Sequence, residues 1–321
     1  KERYEHKYEY CDLLVAGSGP AGLSSAYAAA KNGAKVILAE DKPRFGGSLL
    51  TDDVTIDNLS GKAWTDKIIT ELKEMPNVII KNRSQVFGYY DHNMTVMFER
   101  TGDHLENKPK YTPRQRLWYI RAKEVLLSTG SIERPIVFGN NDTPGIFLSA
   151  AAKEYIKVYG VLVGKKPLIF TNNDSAYETA LEFKKQGVHP IILDTREEHS
   201  SELIETAKSN NIQIKFSYAV IAANGYKKVK SALIGKLNRD KTDFENSETI
   251  ECDCICVSGF WTPTVHLASQ SGNKLKFNNQ IDAFVPDKSK QKETSIGASK
   301  GTFTLKETLA EGFKTGFDLS K

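Results

Sequence analysis

The run Cys11-Asp12-Leu13-Leu14-Val15-Ala16-Gly17-Ser18-Gly19-Pro20-Ala21-Gly22, followed by Glu40, constrains the fold of this chain more than any other part of it. Leu13 to Ala16 is a short apolar run that reads as a buried parallel strand. Gly17 permits the tight turn after it. Gly19 leaves out a side chain where a backbone must approach a pyrophosphate, and Gly22 lets the next helix pack closely on the strand. That helix is expected from Ala21 to Lys31, ended by Gly33, and its free amides and positive dipole end suit an anion without any basic residue. Lys35 to Ala39 supplies a second strand. It delivers Glu40, whose carboxylate can accept both hydroxyls of an adenosine ribose and would repel a 2′-phosphate. A lone G-x-G-x-x-G is weak. Set between a strand and a helix, with the acid at the expected distance, it predicts a site for an ADP-containing cofactor.

A chain of 321 residues suits two domains, each able to bury a core. Its 44 basic and 40 acidic residues nearly balance and are dispersed, which argues against nucleic acid as a partner. No apolar run approaches the ~20 residues of a membrane span, and no signal-peptide pattern opens the sequence, so a cytoplasmic location is expected. The chain begins at Lys1 without a methionine, which suggests a processed chain or a fragment of something larger. Cys11 stands alone, while Cys252, Cys254 and Cys256 alternate along an apolar stretch. On a strand all three would share one face, as a buried structural surface rather than a metal site. No Cys-x-x-Cys occurs, so a dithiol mechanism lacks its reagent.

Further along, Pro43 to Ser48 is a glycine-rich loop able to wrap a bound cofactor. Gly61 to Lys73 reads as an amphipathic helix with Trp64, Ile68, Ile69 and Leu72 inward, and Asn77 to Phe87 as a strand region. Met94 to Arg100 and Gln115 to Ile120 look like paired strands of a small antiparallel sheet. Val125 to Leu127 is a buried strand leading to Ser128-Thr129-Gly130. After the Pro144-Gly145 turn and a helix from Ala150 to Tyr159, a second strand-helix-strand unit begins at Pro167. Its turn, Thr171-Asn172-Asn173-Asp174-Ser175, contains no glycine. Side chains there would obstruct a pyrophosphate and Asp174 would repel it, so this half is not expected to bind NAD(P)H in the usual way. Asn172 to Asp174 would instead cap the following helix. Ser200 to Ser209 reads as helix, Ile212 to Ile221 and Ser231 to Leu237 as strands, and Asn238 to Thr249 as a polar loop. Ile255 to Gly259 repeats the strand-then-glycine form. Thr294 to Ala298 reads as a strand and Thr304 to Phe313 as a helix.

The set Gly17-x-Gly19-x-x-Gly22, Thr129-Gly130, the degenerate second unit and the terminal Gly297 segment resembles the flavoproteins with two dinucleotide-binding domains. More specifically, Arg116 to Lys123, Gly130 to Pro135, Asn140 to Gly145 and Phe170 to Tyr177 are similar to the alpha subunit of heterotetrameric sarcosine oxidase. The resemblance implies an α/β fold class, an FAD/NAD(P)-binding Rossmann-like fold with two interleaved dinucleotide-binding-type domains in a three-layer β-β-α/β-α arrangement. Residues 1–135 and 262–321 would form the first, NAD-binding domain and residues 136–261 the second, degenerate one. It further implies NAD in the fold usually used for FAD, within an assembly of alpha, beta, gamma and delta subunits. That assembly demethylates sarcosine to glycine with oxygen as acceptor, forming hydrogen peroxide and methylenetetrahydrofolate. FAD and covalent FMN are expected with the beta subunit, and tetrahydrofolate on a C-terminal aminomethyltransferase-like domain that this sequence does not include.

FAD-binding members carry Gly-Asp in the terminal motif, the acid holding the ribityl chain; Gly297-Ala298 lacks it. The missing charge-assisted hydrogen bond, about 1.5–3 kcal/mol, favours NAD, with FAD as the alternative. By family matching, the adenosine end should meet Ala21, Glu40, Asp41, Lys42, Ser48 and the strand around Val86. The nicotinamide end should lie near Ala298, Phe303 and Thr304. Gly17, Gly19, Pro20, Gly22, Gly47, Thr129, Gly130 and Gly297 complete the candidate contacts. No catalytic or metal-binding residue is assigned. His6, His92, His104 and His199 stand in polar surroundings, His266 opens a semi-apolar helix, and Glu133-Arg134 reads as a structural pair. The leading reading is a noncatalytic NAD-binding module of a sarcosine-oxidase-type enzyme. The alternatives are an autonomous FAD-dependent NAD(P)H oxidoreductase and a subunit scaffold with an empty site.

Overall fold

A computed structural model describes residues 3–321. The chain divides into two compact units, Lys1–Ile132 with Thr262–Lys321, and Glu133–Trp261.

The first unit opens with β1 (Tyr4–Ala16), α1 (Pro20–Lys31) and β2 (Val36–Ala39), then a small hairpin of β3 (Thr55–Ile56) and β4 (Leu59–Ser60). It continues with α2 (Gly61–Glu74), β5 (Val78–Lys81), β6 (Ser84–Tyr90), β7 (Met94–Arg100) and β8 (Gln115–Leu127). After β9 (Ser131–Glu133) come the elements of the second unit: β10 (Ile146–Leu148), α3 (Ser149–Tyr159), β11 (Pro167–Thr171), α4 (Ser175–Lys185), β12 (Ile191–Asp194) and α5 (Glu202–Ser209). Strands β13 (Gln213–Phe216), β14 (Tyr218–Gly225), β15 (Val229–Leu237), β16 (Phe244–Glu251) and β17 (Cys254–Ser258) complete it. Beyond β18 (Trp261–Pro263), the first unit closes with α6 (His266–Gln270), β19 (Leu275–Asn278), β20 (Ala283–Pro286), β21 (Glu293–Ser295) and α7 (Leu305–Leu319).

Two long strands organise the first sheet, whose order is β5-β2-β1-β8-β7-β6, with β21 also on β8. The inner ends of β1 and β8 lie among the parallel strands β2, β5 and β21. Their outer halves run on together, and β7 and β6 add to β8 as antiparallel strands. The antiparallel strands anticipated around residues 94–120 therefore do not form a separate sheet; β8 bonds them into the main one. Val125–Leu127 and Gln115–Ile120 are one strand rather than two. The polar, aromatic start of β1 lacks the apolar run that marks the buried Leu13 to Ala16, so the sequence carries no strand signal there.

Apolar side chains fill both faces of this sheet. Leu13, Val15, Leu23, Val36, Leu38, Trp64, Ile68 and Leu72 pack on the side of α1 and α2, and Leu14, Ile37, Met97, Ile120 and Val125 on the other. Each fully buried Leu or Val contributes on the order of 1.5–3 kcal/mol. The strand region foreseen for residues 77–87 is broken at Arg83, whose φ of 50° turns the chain between β5 and β6. Ser217, at φ 58°, likewise divides β13 from β14.

The second unit has a parallel sheet ordered β10-β17-β11-β12-β13 and an antiparallel sheet β14-β15-β16. Two sequence expectations need correction here. Residues 244–251 are a strand, not loop: β16 pairs along β15 although its side chains are almost all exposed, so no hydrophobic alternation announced it. The three neighbouring cysteines are buried but do not share a face. Cys254 and Cys256 pack with Ile169, Phe183 and Ile192, whereas Cys252, which precedes β17, packs with Leu168, Val220 and Ile234. A strand's period of two holds only within the strand.

Candidate functional site

The glycines after β1 are forced by close approaches. Gly17 has φ 103°, and a Cβ there would lie 2.3 Å from Ser128 O. A Cβ on Gly22 would come within 2.0 Å of Gly17 O and 2.6 Å of Ser128 Oγ. Gly19 differs: a Cβ there would meet nothing within 4 Å, so open space lies over the start of α1. No side chain caps this helix among the described residues, and its first turn carries no acid. Pro20 has no N–H, and the Leu23 amide already reaches Gly19 O at 2.9 Å. The amides of Ala21 and Gly22 remain as donors at the positive end of the helix, a ready anion site.

Glu40 follows β2, as expected, and is buried. Its Oε2 accepts the Ser18 amide at 3.0 Å and the Ser18 hydroxyl at 2.5 Å, and its Oε1 accepts the Lys42 amide at 3.0 Å. Burial pushes the carboxyl up to about 7, helped by a hydrogen bond to Asp41 and opposed by the bonds from Ser18 and Lys42. The loop after it returns over the turn: the Gly46 amide donates to Ser18 O at 3.1 Å, and a Cβ on Gly47 would stand 2.9 Å from Gly19 Cα. Ser48 is exposed beside it. Val86 lies on β6, whose first residue, Ser84, donates its amide to Glu40 O at 2.7 Å.

The terminal motif closes on the same helix start. A Cβ on Gly297 would lie 2.9 Å from Ala21 Cβ, and the Gly297 amide donates to Glu311 Oε2 at 2.9 Å. Gly297 and Ala298 stand in a 3-10 turn rather than in the strand expected for residues 294–298, which ends at Ser295. Phe303 and Thr304 are exposed at the entry of α7. Thr129 donates its hydroxyl to Thr264 O at 3.0 Å, and Gly130 O accepts the Thr264 amide at 3.0 Å, which fixes the turn after β8. Gly17, Gly19, Pro20, Ala21, Gly22, Gly47 and Gly297 thus meet around one helix terminus, with Glu40, Asp41 and Lys42 joined to it through Ser18.

Four contributing residues carry no mark in the local sequence that assigns them to the site. Ser18 ties the acid to the turn. Ser128 donates its hydroxyl to Gly17 O at 2.8 Å and Ala16 O at 3.0 Å, filling the room that Gly22 leaves. Gly312 and Gly316 let α7 cross α1 in contact, since Cβ atoms there would stand 2.5 Å from Ala21 O and 2.2 Å from Ser25 O. The spacing Gly312-x-x-x-Gly316 was the available signal for that crossing.

In the second unit the equivalent turn is filled by protein. Asn173 donates to Ser258 O at 3.2 Å and Ser258 Oγ at 3.0 Å, while its Oδ1 accepts the Ser175 amide at 3.1 Å. The cap on α4 is therefore Asn173; Asp174, at the N-cap position, makes no capping bond and pairs with Arg196 at 2.7 Å. Asp194, the acid at the end of β12, is fully buried and held by the Tyr177 hydroxyl at 2.8 Å and by Arg196. Glu133 accepts the Ala150 amide at 2.7 Å at the start of α3.

A family model for the pyridine nucleotide-disulphide oxidoreductases matches residues 11–296.

The chain belongs to that family.

Curated relatives include a sarcosine oxidase subunit alpha of Corynebacterium sp., 35% identical over 98% of this chain and 33% of the relative, and one of Rhizobium meliloti, 35% identical over 97% of this chain and 30% of the relative. The chain thus spans about a third of the length of these relatives. Among solved structures, L-proline dehydrogenase from P. horikoshii superposes with a TM-score of 0.73 at 20% identity, over 98% of this chain and 56% of that one. That likeness shows the fold, a Rossmann-like FAD/NAD(P)-binding architecture of two domains. The family's disulphide chemistry has no Cys-x-x-Cys here, and all four cysteines are buried and free. No helix is long and apolar enough to cross a membrane among the described residues. No group of His, Cys, Asp and Glu residues suited to a metal ion occurs among them either.

Proposed function

We propose that the first unit binds NAD and that the chain is the NAD-binding module of a sarcosine-oxidase-type amine oxidoreductase. The observation that carries the reading is the open space over Gly19, floored by the free amides of Ala21 and Gly22 and flanked by Glu40. The pyrophosphate would rest on those amides, and Glu40 would accept the adenosine ribose hydroxyls, with Asp41, Lys42, Gly47, Ser48 and Val86 around the adenosine. Ala298, Phe303, Thr304, Thr129 and Gly130 would border the nicotinamide. Bound NAD carries a hydride-accepting ring; this chain's residues bind and orient it. Ala298 offers no carboxylate to a ribityl chain, which favours NAD over FAD. The filled turn at Asn173 argues for one nucleotide site in the first unit and against the usual NAD(P)H site in the second.

The similarity to sarcosine oxidase alpha subunits supports the wider assignment: oxidative demethylation of sarcosine in a complex with beta, gamma and delta subunits. FAD and covalent FMN would reside with the beta subunit, and tetrahydrofolate would act beyond this segment. Heat release of the ligand from the purified chain, with mass spectrometry and absorbance, tests the reading. One equivalent of NAD is expected; one equivalent of flavin would overturn it.

A further inference from the structure

Among the described residues, Tyr4 to Cys11 of β1 pair on one side only. Their register runs along Gln115 to Ala122 of β8, whereas β2 joins β1 from Leu13 onward. The Asp12 amide reaches Lys35 O at 2.9 Å on the β2 side, so the preceding alternate residues, Tyr10, Tyr8, His6 and Tyr4, turn their N–H and C=O groups to that same side. Glu9 closes the inner end: its Oε1 accepts the Tyr10 amide at 3.0 Å and the Lys35 ammonium at 2.9 Å. Among the described residues, Tyr4-Glu5-His6-Lys7-Tyr8 remains as an open strand edge. Such an edge is a template for another strand.

These five residues complement themselves when a second copy is laid antiparallel about His6. Tyr4 then faces Tyr8, Glu5 faces Lys7, and His6 faces His6. Tyr4, His6 and Tyr8 fall at the hydrogen-bonded positions, which their outward backbone groups require. Glu5 and Lys7 fall at the other positions, where side chains approach most closely and opposite charges attract. Neighbouring registers do worse. Centring on Lys7 sets Lys7 against Lys7 and Glu5 against Glu9, while centring on Tyr8 needs the Tyr10 amide that Glu9 already holds. The aromatic face is exposed and prearranged: Tyr4 is 61% and Tyr8 75% exposed, and Tyr8 stacks on Tyr119 at 5.1 Å between centroids.

We infer that the Tyr4–Tyr8 edge of β1 joins two copies of this chain antiparallel across a two-fold axis at His6, with paired Glu5–Lys7 contacts fixing the register. The pairing buries a narrow strip, so the dimer is weak and reversible.

Sedimentation velocity of the full 321-residue chain over a concentration series should show a monomer–dimer equilibrium. Glu5→Lys and Lys7→Glu should each weaken it about tenfold or more, because both ion pairs become repulsions. Mixing the two variants in equal amounts should restore a dimer, since each then presents the charges the other lacks. His6→Cys should cross-link on mild oxidation, as hydrogen-bonded cross-strand Cα atoms lie about 5.5 Å apart, and the native cysteines are buried. Near-UV circular dichroism of the variants checks that each is folded. A chain monomeric at every concentration, a dimer indifferent to both charge reversals, or a mixture of folded variants that stays monomeric would each overturn the inference.

Discussion

The hydroxyl of Ser18 lies 2.5 Å from Glu40 Oε2, and the Ser18 amide reaches the same oxygen at 3.0 Å. The residue between the first two glycines of the turn is thus bound to the acid at the end of β2. The turn and the acid are set as one unit before any nucleotide arrives, so little ordering remains for binding to bring about.

Protonation of Glu40 should leave a mark on stability. Burial, with the Asp41 hydrogen bond, raises its carboxyl from 4.5 to about 7 in the folded chain. The folded state therefore keeps a proton that the unfolded state releases between those values. The group's contribution is full below the lower value and is lost as the pH rises through the upper one. Urea unfolding of the ligand-free chain should show a decline of up to about 3 kcal/mol over that window. Glu40→Gln should flatten it; an equal slope in both proteins would exclude Glu40 as the source.

Gly19 and Gly22 should fail in opposite ways when replaced by alanine. At Gly19 the backbone is extended, φ −66° and ψ −176°, and the new Cβ would point into open space. Gly19→Ala should keep its melting temperature while NAD affinity drops about tenfold or more, a loss of at least ~1.4 kcal/mol. Gly22→Ala drives a Cβ to 2.0 Å from a backbone oxygen and should cost about 3 kcal/mol or more of stability. Calorimetric titration and thermal melts of the pair decide it; unchanged NAD binding by Gly19→Ala would place the phosphates elsewhere.

Gly316→Ala tests whether α7 holds α1 in place. Its Cβ would stand 2.2 Å from Ser25 O, so the helices must separate, at roughly 1–3 kcal/mol. A guanidinium midpoint identical to that of the unaltered chain would show that α7 can shift freely.

The thiols should be silent in the native protein. Burial pushes Cys11 and Cys252 up to about 12, and Cys254 and Cys256 are buried as well. A thiol-specific chromogenic reagent at pH 8 should find no rapidly reacting group natively and all four after denaturation. A fast native thiol would contradict the buried arrangement.

The glycine turn, its helix and Glu40 could be read from residues 11–40 because each depends on neighbours in the chain: a glycine where the turn needs one, an apolar run where the strand is buried. The Asn173 turn was equally legible as glycine-free. By contrast, β16 is polar and exposed, and exists as a strand only because β15 offers its backbone. The outer half of β1 likewise depends on β8 for its pairing. Ser128 braces the turn and Gly316 admits α7 against the helix after it, each across more than a hundred residues of chain, and nothing local to either states the contact.

Residue order alone thus determined the strand-turn-helix that can receive a pyrophosphate, since backbone geometry and period are local properties. Tertiary structure decided which distant groups brace it, which face each cysteine occupies and which strand edge stays open, because packing and hydrogen-bond pairing join residues far apart in the sequence.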